Sequence, residues 1–168
     1  MDKENSAFLR LAALTFVVNF ALDRISKLLA VTFLEGKQTI SFFFNTVVLR
    51  YTENTGAFLS TGAEWSDAKK YLFLVGIPLI AYVYGLYYAS FKVKNKALVI
   101  TIVSIISGGL GNLYDRIFNH FSVVDFLDFG IGPIRTGILN VADMSVTFGV
   151  IYLMIYQLRK KETSPKTE

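Results

Sequence analysis

Long apolar runs alternate with short polar interruptions along this chain, and the runs have the length of membrane spans. A helix needs about 20 mostly apolar residues to cross the hydrocarbon core. Four stretches qualify, at about 8–34, 71–91, 97–118 and 139–158. The second is the clearest, since Tyr71 to Phe91 carries no charge. Its Pro78 is tolerated in a membrane helix, and Tyr87 and Tyr88 suit an interfacial belt. The first contains Arg10, Asp23, Arg24 and Lys27, the third is uncharged until Asp115, and the fourth holds Asp143. Residues 36–60 have a different character. Phe42 to Ser60 is rich in β-branched and aromatic residues, and Asn54-Thr55-Gly56 is a turn signal. The pattern predicts a mainly α membrane protein of four transmembrane helices with a small strand platform on the outer face. A single integral membrane domain, 1–168, is expected, ending in a polar tail at 160–168. No A-x-A-like site closes the first run, so it reads as a retained span and not a cleaved signal.

Composition supports the bilayer. Hydrophobic residues make up 53% of the chain and charged residues 18%, against about 25% charged in soluble domains. Mean hydropathy is +0.47. Cysteine is absent, which excludes disulfides, thiolate nucleophiles and zinc–thiolate sites. The single His120 argues against a histidine-rich metal site. No metal and no cofactor are expected.

The net charge of +4 sits mainly at the chain ends and in one short loop. That suits an anionic membrane surface and no nucleic acid. Lys3 and Arg10, the loop Lys92 to Lys96, and the C-terminal Arg159, Lys160, Lys161 and Lys166 all fall on one side of four spans. The positive-inside rule makes that side the cytoplasm, with both termini inside.

This topology gathers the unusual polar residues at one depth. With the first span entering near Phe8, Asp23 lies roughly 22 Å along it, in the outer part of a core about 30 Å thick. Lys27 is one turn further out. Asn112, Asp115 and Arg116 fall near the outer end of the third span, and Asn140 and Asp143 at the outer start of the fourth. Asn54 and Asp125 are in outer loops. An intramembrane ionisable residue reads as functional by default. Structural readings stand beside that one. Asp23 and Lys27, four apart, fit an ion pair. Asp115 and Arg116 fit an interfacial anchor, and Asn140 fits an N-cap three residues before Asp143. Asp125 and Asp128 each fit a solvated loop carboxylate. Gly108, Gly109 and Gly111 fit close helix packing.

In order, five segments resemble the lipoprotein signal peptidase (signal peptidase II) family: Asp23-Arg24-Ile25-Ser26-Lys27, Asn54-Thr55-Gly56-Ala57-Phe58, Gly108 to Arg116, Val123-Val124-Asp125-Phe126, and Asn140-Val141-Ala142-Asp143. The resemblance covers nearly the whole chain. It implies four spans, an outer strand cradle and a short outer helix. It also implies an aspartic endopeptidase of the bacterial cytoplasmic membrane. That enzyme removes the signal peptide of prolipoproteins just before a diacylglyceryl-modified cysteine. The family's catalytic pair maps onto Asp125 and Asp143. Asn54, Gly56, Asn112, Arg116 and Asn140 match positions lining its substrate site. Asp23, Lys27 and Asp115 match supporting positions. The implied partners are prolipoproteins and membrane lipids, with the protein working as a monomer. Two departures appear: Ala57-Phe58 stands where Ala-Ala-Phe is common, and Leu139 where Phe is usual.

Paired carboxylates suit this chemistry. Two that are close cannot both ionise cheaply, so they share a proton. The ionised member draws a proton from water and the protonated one donates to the scissile carbonyl. Ser122 or Ser145 is a weak nucleophile, with His120 the sole histidine. A proton-coupled transporter is the rival for intramembrane aspartates, although acids at one depth form no path across. A structural or assembly role with buried ion pairs is the third reading.

Overall fold

The four apolar runs are helical in a computed structural model, which describes residues 3–57 and 60–163. Phe58 and the end of the expected polar tail, 164–168, lie outside the described residues. Helix α1 is Lys3–Leu34, α2 is Asp67–Phe91, α3 is Lys96–Phe118 and α4 is Val141–Thr163. The 32 residues of α1 span about 48 Å and outrun a core about 30 Å thick, so its ends project. The buried positions of α1, among them Phe8, Ala12, Thr15, Asp23, Lys27, Ala30 and Leu34, lie three or four residues apart or at multiples of that spacing. They form one seam, and the opposite face is left to lipid.

Helix α3 is the centre of the bundle. Its start is capped by Asn95, whose side chain accepts from the Leu98 N–H at 3.1 Å. Val99 and Val103 are fully buried and pack with Phe8, Ala12, Ala89 and Val93. At the far end of α1, Ala30 and Leu34 pack beneath Val124 and Phe126 of the sheet. Between these clusters, Asn19 donates to Ser104 at 3.3 Å and accepts from Ser145 at 3.1 Å, a polar tie across α1, α3 and α4. Small residues let the helices close in. A Cβ on Gly108 would sit 2.6 Å from the Ala142 carbonyl oxygen, and one on Gly111 would sit 2.6 Å from Asp23 Oδ2. Helix α2 opens with a turn at Asp67–Lys70 and widens to π-helical hydrogen bonding over Tyr71–Gly76 before Pro78. The helical turn at Asp67–Lys70, outside the apolar run, continues directly into the span.

The expected fold, mainly helical with four span-length helices and a small sheet, is the one observed. The sheet is larger than a cradle at 36–60. It pairs β1 (Ile40–Phe42), β2 (Val47–Asn54), β3 (Val123–Ile131) and β4 (Ile134–Leu139), all antiparallel and in that order. Half of it comes from the loop between α3 and α4, which the sequence reading leaves without strands. Asp125 and Asp128 interrupt the apolar alternation there, and Gly130, Gly132 and Gly137 read as loop. Helix α4 begins at Val141 because Leu139 is still paired with Leu127 in the sheet.

Gly108→Ala is expected to lower stability by about 1–3 kcal/mol, because its methyl meets backbone. Gly85→Ala, whose methyl meets only the Ile106 Cδ1 tip at 2.8 Å, should cost less. Thermal unfolding of both variants in detergent checks the order.

Candidate functional site

Four charged side chains form a neutral cluster between α1 and α3. Asp23 and Lys27, one turn apart on α1, are 3.2 Å from each other, and Lys27 Nζ is 2.7 Å from Asp115 Oδ2. Arg24 bridges the same two carboxylates, at 2.6 Å to Asp23 and 2.5 Å to Asp115. Its guanidinium stacks over the Tyr114 ring at 4.9 Å. Asp23, Lys27 and Asp115 are buried. Their pairing removes the cost of isolated charge in an apolar medium. Asp23 does one thing more, as its Oδ1 accepts from the Ala142 N–H at 3.1 Å. An anion there also complements the helix dipole of α4.

The start of α4 is a capping box. The Asn140 side chain accepts from the Asp143 N–H at 3.0 Å, and Asp143 Oδ2 accepts from the Asn140 N–H at 3.0 Å. Each side chain satisfies the other's backbone donor. The Asn140 amide has a further use. Its Nδ2 donates to Asp125 Oδ1 at 2.6 Å, and also to Asn112 Oδ1 and to the Val124 carbonyl. The cap thus ties a strand carboxylate and a helix carboxylate to one residue.

Two more amides complete the arrangement. Asn112 accepts from Lys27 Nζ at 2.7 Å, which turns its Nδ2 toward Asp143 Oδ1 at 2.8 Å. Asn54, at the end of β2, donates to Asp125 Oδ2 at 3.2 Å and to the Ala57 carbonyl. Its own oxygen accepts from the Gly56 N–H. Arg116, one turn beyond Asn112, donates to the Gly56 carbonyl at 2.8 Å, and its Nε is buried without a partner. Burial, reinforced by the charge of Asp143, pushes the Asp125 carboxyl up to about 6 from its ordinary 3.8. The hydrogen bonds from Asn54 and Asn140, together with Lys27, reverse only part of that rise.

Asp128 is not in this site. Residues three apart on a strand face opposite sides, so β3 turns Asp125 inward and Asp128 to the other face, against Arg50 and Arg135 at 2.8 Å each. The hydroxyl of Ser145 bonds to Asn19 and the Val141 carbonyl, and that of Ser122 to Glu53. Every other candidate, namely Asp23, Lys27, Asn54, Gly56, Asn112, Asp115, Arg116, Asp125, Asn140 and Asp143, is in one connected network. Sequence reasoning passed over Arg24 and Tyr82. Arg24 carried a usable signal as an intramembrane cation beside Asp23. Tyr82 carried none, since only packing sets its ring against Gly109.

Two cavities meet at the carboxylates. A small one of about 30 Å³ lies among Asn54, Asn112, Arg116, Asp125 and Asp143. A larger one of about 400 Å³ opens between α2, α3 and α4, with Phe73, Leu74, Pro78, Tyr82 and Val146 on its walls and Asp143 and Arg116 at one end. The π-helical turn borders it, a feature that recurs at functional sites. A groove of about 720 Å³ along Val150 to Lys161 is larger, but among the described residues no carboxylate lines it.

The chain matches the family model described as Signal peptidase (SPase) II over residues 15–159. It is 39% identical over 147 residues to a lipoprotein signal peptidase of Borrelia duttonii (strain Ly), covering 84% of this chain and 86% of that one. A lipoprotein signal peptidase of Borrelia hermsii (strain HS1 / DAH) is 38% identical over 154 residues, 89% of each chain. Among solved structures, a bacterial membrane enzyme determined by the in meso method at 2.3 Å resolution superposes with a TM-score of 0.78. It has 26% identity and covers 94% of this chain and 93% of that one.

Asn140→Ser keeps a capping oxygen and loses the bridge to Asp125, whereas Asn140→Ala loses both. The alanine variant is expected to be less stable than the serine variant by about 1 kcal/mol, read by thermal unfolding. A second expectation concerns pH. With its folded value raised, Asp125 contributes stability that is complete below about 3.8 and is lost as pH rises through about 6. Replacing it with Asn should flatten the decline of unfolding temperature across that window.

Proposed function

Because the chain belongs to the signal peptidase II family, we propose that Asp125 and Asp143 are the aspartic dyad that cleaves prolipoprotein signal peptides. Membership makes the protein a hydrolase that processes lipoprotein precursors. Its four apolar helices make it a multi-pass protein of the bacterial inner membrane. The observation that carries the dyad reading is the anchoring of both carboxylates on Asn140, at 2.6 and 3.0 Å.

In this reading the pair shares one proton, which we place on Asp125, whose carboxyl is pushed up to about 6 by burial and by the charge of Asp143. The cavity of about 30 Å³ between the acids has room for a water, which needs roughly 10–15 Å³. Asp143 takes a proton from that water as its oxygen bonds to the scissile carbonyl carbon. Asp125 gives its proton to the carbonyl oxygen. The tetrahedral intermediate then collapses: the C–N bond breaks, Asp143 returns its proton to the leaving amine, and a hydroxyl of the diol gives its proton back to Asp125, which leaves a carboxylic acid and restores the pair. Asn54, Asn112 and Asn140 hold the carboxylates in position. The buried, unpartnered Arg116 Nε is the donor left for a substrate carbonyl. Gly56 fixes the loop over the site, since a Cβ there would lie 2.6 Å from the Ser60 backbone. Asp23, Lys27 and Asp115 support the site through Asn112 and the start of α4.

The substrate fits the same frame. The scissile bond is the one before the diacylglyceryl cysteine, and the acyl chains hold it at the outer interface. Acyl burial contributes about 0.8 kcal/mol per CH₂. The cavity of about 400 Å³ between the spans admits a membrane-held peptide from the side. The site faces outward and both termini lie in the cytoplasm, following the basic loops. Lipids surround the protein, which works as a monomer. A transport path is disfavoured by the apolar packing of Phe8, Ala12, Ala89, Val93, Val99 and Val103 at the opposite end.

Asp125→Asn and Asp143→Asn are each expected to reduce cleavage by at least ~10²–10⁴-fold while unfolding near the wild-type temperature. The assay compares a diacylglyceryl precursor with its unlipidated twin in detergent. Normal turnover by either variant removes the dyad assignment, and equal cleavage of the twin removes the lipid requirement.

A further inference from the structure

The end of the sheet farthest from the carboxylates carries exposed apolar side chains. The β1–β2 turn and the β3–β4 turn lie side by side there, since Val47 pairs with Phe129. They present Phe43 at 77% exposure, Phe44 at 104%, Ile131 at 77% and Ile134 at 79%. Burying apolar side chains of this size is favourable, so leaving the cluster in water is not. The exposure is built into the backbone. Phe43, Phe44 and Asn45 have φ of 49°, 56° and 67°, a region that bulky residues rarely adopt. The turn is pinned by Thr46, which donates twice to the Phe43 carbonyl, and by Arg135, which donates to the Asn45 carbonyl.

A cationic collar lies behind the apolar tips. Arg50 and Arg135 share the single carboxylate of Asp128, which leaves one positive charge in excess. The Arg50 side chain is 45% exposed and borders a cavity of about 460 Å³ with Phe44, Asn45 and Gly132 on its walls. Apolar tips backed by guanidinium groups match the layering of a bilayer surface, acyl chains below phosphates.

The helix bundle sets the level. Helix α1 exposes Leu28, Leu29 and Phe33 at 64, 50 and 59%, so its lipid-facing stripe continues to the last turn. In that same turn Ala30 and Leu34 pack under Val124 and Phe126. The sheet is therefore rooted at the bilayer edge and not on a stalk above it. From Phe126 to Ile131 the strand runs about 17 Å to the exposed tips.

We propose that the distal hairpins form a membrane foot: Phe43, Phe44, Ile131 and Ile134 enter the interfacial layer of the bilayer, and Arg50 and Arg135 bind a phospholipid phosphate. The foot holds the free end of the sheet against the membrane, and with it the strand that carries Asp125. A protein partner is the less favoured occupant, because the apolar tips are backed by Arg50 and Arg135 and the sheet is rooted on the last turn of a lipid-facing helix.

The chain has no cysteine, so Phe44→Cys gives a single attachment point for a nitroxide label. Phe148→Cys on the lipid-facing side of α4, where Phe148 is 63% exposed, supplies the bilayer reference. The labelled full-length protein is placed in vesicles of phosphatidylcholine and phosphatidylglycerol. Collision of the label with dissolved oxygen and with a water-soluble nickel chelate is then measured. The foot predicts that position 44 resembles position 148, with oxygen collisions dominant. Dominant nickel collisions overturn it. Protection from both reagents also overturns it, in favour of a protein cover. Adding Arg50→Gln, which leaves Arg135 on Asp128, should shift position 44 toward nickel accessibility, and no shift overturns the phosphate contact. Unfolding temperature in detergent confirms that each variant is folded, and Phe43→Cys repeats the measurement should the first variant not fold.

Discussion

Charge inside a bilayer has to be matched, and the pairing of Asp23, Arg24, Lys27 and Asp115 is the interaction on which the rest depends. A charged group at mid-membrane costs about 2.5–3.5 kcal/mol on insertion scales. Here two carboxylates and two cations meet at 2.5–3.2 Å. Removing one partner would leave its mate buried and unpaired, the costly case. The cluster fixes the rotation of α1 against α3, because the four groups meet in one register only. Asp23 then takes the Ala142 N–H and fixes the start of α4. Lys27 takes the Asn112 oxygen and thereby decides which way that amide points.

The residues read as chemical are also the residues that finish the fold. Asp143 is half of the capping box of α4, and Asn140 is the other half. Asn140 joins that helix to β3 through Asp125. Asn54 closes its own turn while it reaches the same carboxylate. Each of these polar groups is satisfied by another member of the network, so little freedom remains at the carboxylates. Preorganisation of this kind is what a site loses when one supporting contact is removed.

Strand parity decides the fate of the two loop acids. Asp125 and Asp128 are equivalent in composition and three residues apart. One faces the helices and the other faces Arg50 and Arg135. The sheet therefore carries one buried acid on each face, with separate partners. The site lies at the junction of two strands and three helices, with Asp125 outside the spans and Asp143 in the first turn of one.

The apolar runs by themselves determined a membrane protein of four span-length helices, because span length and the lack of charge are local properties of a sequence. Helix rise and topology also brought Asp23, Lys27, Asn112, Asp115, Asn140 and Asp143 to one level, since depth follows from position along a helix. The spacing of Asn140 and Asp143 marked a cap. Tertiary structure alone decided the rest. Strands β3 and β4 were hidden because Asp125 and Asp128 broke the apolar alternation, and the arginines that match Asp128 arrive from β2 and β4. Arg24 joined the ion cluster through Asp115, which is 91 positions away in sequence. The double use of Asn140 could not be read from its neighbours either, for its second partner comes from another element. Local pattern fixes what a segment is, but pairing between distant polar groups depends on how the segments rotate and pack.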